Sequence, residues 1–210
     1  MENIKACLFD LDGVIVDTAK YHYLAWKVLA DELGIEFTHK HNEKLKGVSR
    51  MRSLDILLEI GEKKISEEEK LKLAERKNKI YLDYIYKMTP EEILPGVKDF
   101  IATIRNKGIK VALGSASKNA ITILKQLKIE SFFDAIIDGN MVSKSKPDPE
   151  VFIKGAEALN VANDQCVVFE DAEAGIEAAL SANMRCIGIG SPEILGKANK
   201  VISGFENFKL

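Results

Sequence analysis

Cysteine, proline and tryptophan are scarce in this chain, with three, five and one copies among 210 residues. Cys7, Cys166 and Cys186 are odd in number, far apart and set in or beside apolar runs. They read as buried free thiols of a reducing compartment, not as a disulfide framework or a metal cluster. No apolar stretch reaches the roughly 18 residues of a membrane span, which excludes a membrane-embedded reading. Met1-Glu2-Asn3-Ile4-Lys5 lacks the layout of a signal peptide, so a cytoplasmic location is expected. Charge of one sign is missing too: 30 basic residues face 32 acidic ones, a formal net charge of -2. That balance carries neither a nucleic-acid footprint nor an acidic tail. What remains, at 46% hydrophobic and 30% charged, is an ordinary globular chain long enough for one core with a smaller insertion.

The first apolar run, Ile4 to Phe9, reads as a strand closed by Asp10-Leu11-Asp12-Gly13. From Thr18 to about Met88 the pattern is helical. Thr18 to Leu33 carries Tyr21, Leu24, Ala25, Val28, Leu29 and Leu33 at helical spacing and ends at Gly34. Arg50 to Ile60 follows the same rhythm, and Ser66-Glu67-Glu68-Glu69 opens a long helix through Ile85 with a capping box. Thr89-Pro90 stops it. Beyond Leu94, helices and short apolar runs alternate. Strands are expected at 109–113, 135–138, 166–169, 185–189 and, at the edge, 200–202; helices at 97–107, 117–128, 149–159 and 172–182. Alternation of this kind predicts an α/β fold, a parallel sheet with helices on both faces. Residues 1–16 and 90–210 would form that core, and 17–89 an all-helical inserted cap.

Polar residues cluster where a parallel sheet keeps its chemistry, at the carboxyl ends of strands. Asp10 and Asp12, at i and i+2, are expected on one side if strand geometry carries through. One could then act as nucleophile or hard-metal ligand and the other as acid or base. Gly114-Ser115-Ala116-Ser117 follows the second strand; its small residues suit an anion, with Ser117 at the start of a helix. Lys146, held out of helical geometry by Pro147, offers a compact positive charge. Glu170-Asp171 ends another strand, and two acidic strand ends on one sheet suit Mg²⁺.

The order Asp-x-Asp, Ser, Lys, Glu-Asp resembles the haloacid dehalogenase superfamily of phosphotransferases along the whole chain. The resemblance implies a Rossmann-like core with an inserted helical cap. It implies that Asp10 is the nucleophile, forming an aspartyl-phosphate, and Asp12 the general acid/base. Ser115 and Lys146 would hold the phosphoryl group, helped by the N–H groups of Leu11 and Ala116. Asp10, Asp12 (through its backbone carbonyl), Glu170 and Asp171 would surround Mg²⁺.

The segments Tyr21 to Trp26, Lys46 to Arg50, Arg76 to Asn78 and Ser115 to Asn119 look like the substrate-facing parts of the superfamily's hexose-phosphate mutases. That likeness implies transfer of phosphate between C1 and C6 of a glucose phosphate through a bound bisphosphate. Arg50 would grip the phosphate that is not transferred, a task for a bidentate guanidinium. Gly47, Val48 and Ser49 would line the sugar, Trp26 and Ser53 would close the pocket, and His22 and Lys77 would position Asp12 or the sugar hydroxyls. Lys118 and Asn119, with Ala116 and Ser117, would meet the sugar phosphate from the core side. Residues alone leave other readings open: Trp26 as core of the cap, and Lys77 as part of a solvated charged face. Val16 departs from the mutase pattern, which has a small polar residue there. A sugar-phosphate phosphatase would use the same core, and a catalytically silent binding module is the third possibility. The expected partner is a small hexose phosphate and its bisphosphate, bound by a monomer.

Overall fold

The computed structural model describes residues 3–45, 48–206 and 208–210. Among them, six parallel strands form one sheet, in chain order β1 (Ala6–Phe9), β2 (Lys110–Gly114), β3 (Ala135–Ile137), β4 (Cys166–Glu170), β5 (Arg185–Ile189) and β6 (Lys200–Ile202). Across the sheet they run β3-β2-β1-β4-β5-β6, so the winding reverses between β1 and β4. An open α/β sheet leaves its ligand crevice at that reversal.

Helices α1 (Ala19–Glu32), α2 (His39–Glu43), α3 (Arg50–Ile60) and α4 (Glu67–Ile85) all lie between β1 and β2. The remaining helices are α5 (Val97–Asn106), α6 (Ala120–Leu127), α7 (Glu150–Leu159), α8 (Glu173–Ser181) and α9 (Pro192–Leu195). Cys7 and Phe9 enter one apolar cluster with α5 and α6; Ala6 and Leu8 enter another with α7 and α8. A strand buried on both faces needs apolar residues at every position, which is why these runs are continuous instead of alternating. The three cysteines are free and buried, as their setting implied.

The helical insert has a cluster of its own, with Trp26, Leu29, Phe37, Leu54, Leu57 and Ala74. It also shares the core beside β1, through Ala25, Tyr81 and Ile85. The chain leaves for the insert and returns side by side: Val16 bridges Ile93 antiparallel, and Leu94 N–H donates to Ile15 at 2.9 Å. Ser66 and Glu69 make the expected capping box at the start of α4. α2 escaped the sequence reading because five residues carry no periodicity, and its own box pairs Thr38 with a histidine. The strand expected at residues 4–9 spans only 6–9, and the helix expected from Ser117 begins at Ala120.

α7 approaches the sheet through Gly155, where an added Cβ would lie 2.8 Å from Leu8 Cδ2. Replacing a glycine inside a helix ordinarily stabilises it. Here Gly155→Val is expected to destabilise by about 1–3 kcal/mol through overpacking, read from urea unfolding. A variant as stable as the parent would refute this close packing.

Candidate active site

Phe9 ends β1 level with Leu113 of β2 and Phe169 of β4, so the chains that follow emerge side by side. Phe9 and Phe169 stack with centroids 4.8 Å apart, and Phe100 and Phe205 pack against both. This aromatic floor fixes the height of the two acidic loops above it.

Strand geometry stops at Phe9, which corrects the expectation that alternation presents Asp10 and Asp12 together. Asp12 N–H donates back to Asp10 Oδ2 at 3.1 Å, and Gly13 follows with φ of 78°. The short Asp10 carboxylate captures the amide two residues on, and a turn replaces the strand. The Thr18 hydroxyl donates to Asp12 Oδ1. A side chain at position 13 would collide with the Asp171 carboxylate, so glycine lets the two loops approach.

Lys146 ties the site together. Its Nζ lies 2.6 Å from Asp10 Oδ1 and 2.7 Å from Glu170 Oε1, with 1% of its side chain exposed. Burial pulls its pKa down, but Asp10 and Glu170 more than offset that and hold the ammonium above its ordinary value. Glu170 Oε2 accepts from Ala172 N–H at 2.7 Å. Burial dominates Glu170 and raises its pKa, against the pull of Lys146. Gly175 abuts this carboxylate so closely that a methyl group would overlap it. The Lys146–Pro147 peptide is cis. Glu150, which the sequence reading passed over, anchors the loop: its Oε2 accepts from Ser143 N–H, Ser143 Oγ and Lys144 N–H at 2.9, 2.9 and 2.8 Å. Its pKa is held down at about 2, first by Lys154 and then by these donors.

Carboxylate oxygens of Asp10, Glu170 and Asp171 lie within 4.8 Å of one another. Three hard oxygen donors this close together fit a divalent cation. The Asp12 carboxylate is not one of the three. Burial and the like charge of Asp10 push it up to about 7, against the Thr18 hydroxyl, Lys146 and Lys77.

On the neighbouring strand end, Ser115 is fully buried and its Oγ accepts from Ser117 N–H at 3.1 Å. Ser117 Oγ accepts from Asn119 N–H at 3.2 Å, and Asn119 takes the N-cap position of α6. That local turn is why the helix starts later than the periodicity suggested and why Ser117 is not its cap. Ala116 is half-buried and Lys118 exposed. The Lys118 carbonyl accepts from Asn140 at 3.0 Å, and Asn140 is itself braced by buried Asp138.

From the helical side, Lys77 is buried, which removes the alternative reading of it as part of a solvated face. Its Nζ lies 2.8 Å from His22 Nδ1 and 4.8 and 4.5 Å from the Trp26 and Tyr81 ring centroids. Burial first, then Arg50, holds Lys77 well below the usual lysine range; burial first, then Lys77 and Arg50, lowers His22. Trp26, 1% exposed, belongs to the insert's own core while facing Lys77. Val48, Ser49 and Arg50 are half-buried, and Ser53 is buried. Ser49 Oγ caps α3, accepting from Arg52 N–H at 3.3 Å. Gly47 lies outside the described residues. Thr18 and Tyr81 went unrecognised because threonine before a helix and tyrosine on an apolar stripe are ordinary cap and core residues.

The strand order defines a Rossmann-like α/β core with an acidic site at its switch point. Residues 7–189 match the sequence model of the haloacid dehalogenase-like hydrolases, and the chain belongs to that family. It is 45% identical over 201 residues to the β-phosphoglucomutase of Bacillus subtilis strain 168, covering 95% of this chain and 89% of that one. The crystal structure of a β-phosphoglucomutase from Clostridium difficile superposes with a TM-score of 0.95 at 48% identity, covering 99% and 94% of the two chains. A phosphorylated carbohydrates phosphatase of Thermotoga maritima is 33% identical, covering 88% and 84%.

His22 sets a pH dependence of stability. Its folded pKa lies well below 6.5, so the unfolded chain binds its proton first as pH falls. Stability from this residue is complete above its unfolded value and is lost as pH drops toward the folded one. The loss sets in near the unfolded value of about 6.5, and below it the slope approaches about 1.4 kcal/mol per pH unit until the folded imidazole itself titrates. Thermal melts should show that slope removed in His22→Gln. The same slope in parent and variant would remove His22 as its source.

Proposed function

We propose that this chain interconverts β-D-glucose 1-phosphate and D-glucose 6-phosphate through a bound β-D-glucose 1,6-bisphosphate and a phosphorylated Asp10. The observation that carries this reading is the Asp10–Lys146–Glu170 contact at the sheet's switch point, in a chain 45% identical over 95% of its length to a β-phosphoglucomutase.

Asp10 attacks phosphorus and the bond to the sugar oxygen breaks. A carboxylate approaching a phosphoryl dianion is repelled, and the Lys146 ammonium beside Asp10 offsets that charge. Ser115 and the N–H groups of Leu11 and Ala116 hold the remaining phosphoryl oxygens. Asp12 protonates the departing sugar oxygen and later takes the proton of the attacking hydroxyl. A carboxyl that titrates near 7 does both at neutral pH, and Thr18 keeps it oriented. Asp10, Glu170 and Asp171, with the Asp12 carbonyl, would hold Mg²⁺, which when bound supplies positive charge to the phosphoryl oxygens.

Arg50 grips the phosphate at the far end of the sugar, and Val48 and Ser49 line the ring with Ser53 and Trp26 behind them. His22 and Lys77 orient Asp12 and the sugar hydroxyls; Ala116, Ser117, Lys118 and Asn119 meet the sugar phosphate from the sheet side. Residues 17–89 act as a lid on a core made of 1–16 and 90–210, and lid closure keeps water from the phosphoryl group. The enzyme works as a monomer in the cytoplasm.

Incubation with β-D-glucose 1-phosphate, Mg²⁺ and a trace of the bisphosphate should give stoichiometric glucose 6-phosphate. Inorganic phosphate as the main product would replace this reading with a sugar-phosphate phosphatase. Asp10→Asn should lose at least about a thousandfold in turnover with its fold intact, and full activity in it would reject the nucleophile. Chelation should abolish turnover and lower the melting temperature, and Mg²⁺ should restore both. Activity that survives chelation would reject the metal.

A further inference from the structure

The helical insert meets the rest of the chain through polar bridges placed very differently. One sits at the crossing: Lys20 Nζ and the Tyr21 hydroxyl reach Glu92 Oε2 at 2.8 and 2.6 Å. Its partners flank the paired segments at Val16 and Ile93, so a swing of the helices about that crossing moves it little. Another lies outside those paired segments. Asn119 Nδ2 donates to Asn78 Oδ1 at 2.8 Å, joining α4 to the end of the Ser115–Asn119 loop. Any movement that parts α4 from this loop breaks it.

Both ends of the remote bridge are firmly seated. Ser115 and Ser117 accept from the amides two residues on, and Asn140 holds the Lys118 carbonyl, so the loop cannot drift with the helix. Asn78 adjoins Lys77, which is buried against Trp26, Tyr81 and His22. The bridge therefore couples the turn of α4 that carries buried Lys77 to the loop that follows β2.

We propose that Asn78 is a positioning residue that latches α4 onto the Ser115–Asn119 loop and so sets the ratio of phosphoryl transfer to hydrolysis. This rests on the mutase reading. With Asp10 phosphorylated, water competes with the sugar hydroxyl. In hydrolysis a water oxygen bonds to phosphorus, the bond from phosphorus to Asp10 breaks, and a water proton passes to Asp12, leaving inorganic phosphate and a free Asp10 carboxylate. The latch lowers the population of open protein in which water reaches the site, and Asn78 acts through its bond to Asn119.

The test is the lifetime of the phosphoenzyme. Parent, Asn78→Ala and Asn78→Asp are phosphorylated with acetyl phosphate and Mg²⁺, the donor is removed, and loss of phosphate from Asp10 is followed. Asn78→Ala should shorten the half-life roughly two- to tenfold, the weight of one hydrogen bond. Alanine suits a helix better than asparagine, so its melting temperature should not fall. Asn78→Asp keeps an acceptor at the same reach and should return the half-life to within about twofold of the parent. In the sugar-phosphate assay, Asn78→Ala should release more inorganic phosphate per glucose 6-phosphate than the parent. An unchanged half-life in Asn78→Ala, or one equally short in Asn78→Asp, would overturn the latch. A parent that releases only inorganic phosphate would overturn the mutase reading, while the half-life comparison still decides the latch.

Discussion

A lysine ammonium almost sealed from solvent holds two carboxylates from different strand ends, and the rest of the site is arranged around it. Lys146 stands 136 residues from Asp10 and 24 from Glu170, yet it contacts both. A buried pair of this kind gives little net stability, because desolvating the charges costs nearly as much as their attraction returns. Its worth lies in what happens without it: two buried carboxylates would repel across the end of the sheet. The arrangement sets the loops after β1, β3 and β4 at one point and leaves an excess of acid there, which is the condition for gathering a cation and an anionic substrate together.

That gathering depends on neighbours with no chemistry of their own. The stacked rings of Phe9 and Phe169 fix the level of the acidic loops. Gly13 and Gly175 remove the side chains that would push Asp171 and Glu170 away. Glu150 gathers the amides of the Lys146 loop. On the opposite side, the insert spends its own core on a second buried cation, Lys77, between aromatic rings and beside His22. Lys146 from the sheet side and Lys77 from the insert both pull the Asp12 carboxyl back down against its burial.

Much of the framework was readable from residue order. α3 and β5 occupy the spans that periodicity suggested, and the edge strand at 200–202 is present. Continuous apolar runs, Gly34 after α1 and the Ser66 box each encode a local preference that the fold does not override. Misreadings occurred where a side chain captured nearby backbone. Asp10 takes the amide of Asp12 and ends the strand, and Ser117 takes that of Asn119 and delays α6. Lys77 was ambiguous for another reason: a lysine in a charge-rich stretch carries no local mark of burial, and only α1 packed across it supplies Trp26 and His22.

Sequence by itself determined the strand and helix alternation, the helical insertion and the residue types able to handle a phosphoryl group, because these depend on short-range pattern and side-chain chemistry. Tertiary structure alone decided which of those residues meet. The bridging of Asp10 and Glu170 by Lys146, the reach of Thr18 to Asp12, and the joining of Asn78 to Asn119 are contacts between distant segments. Their geometry is set by strand order and by helices packing on both sheet faces, and no local stretch of chain contains that information.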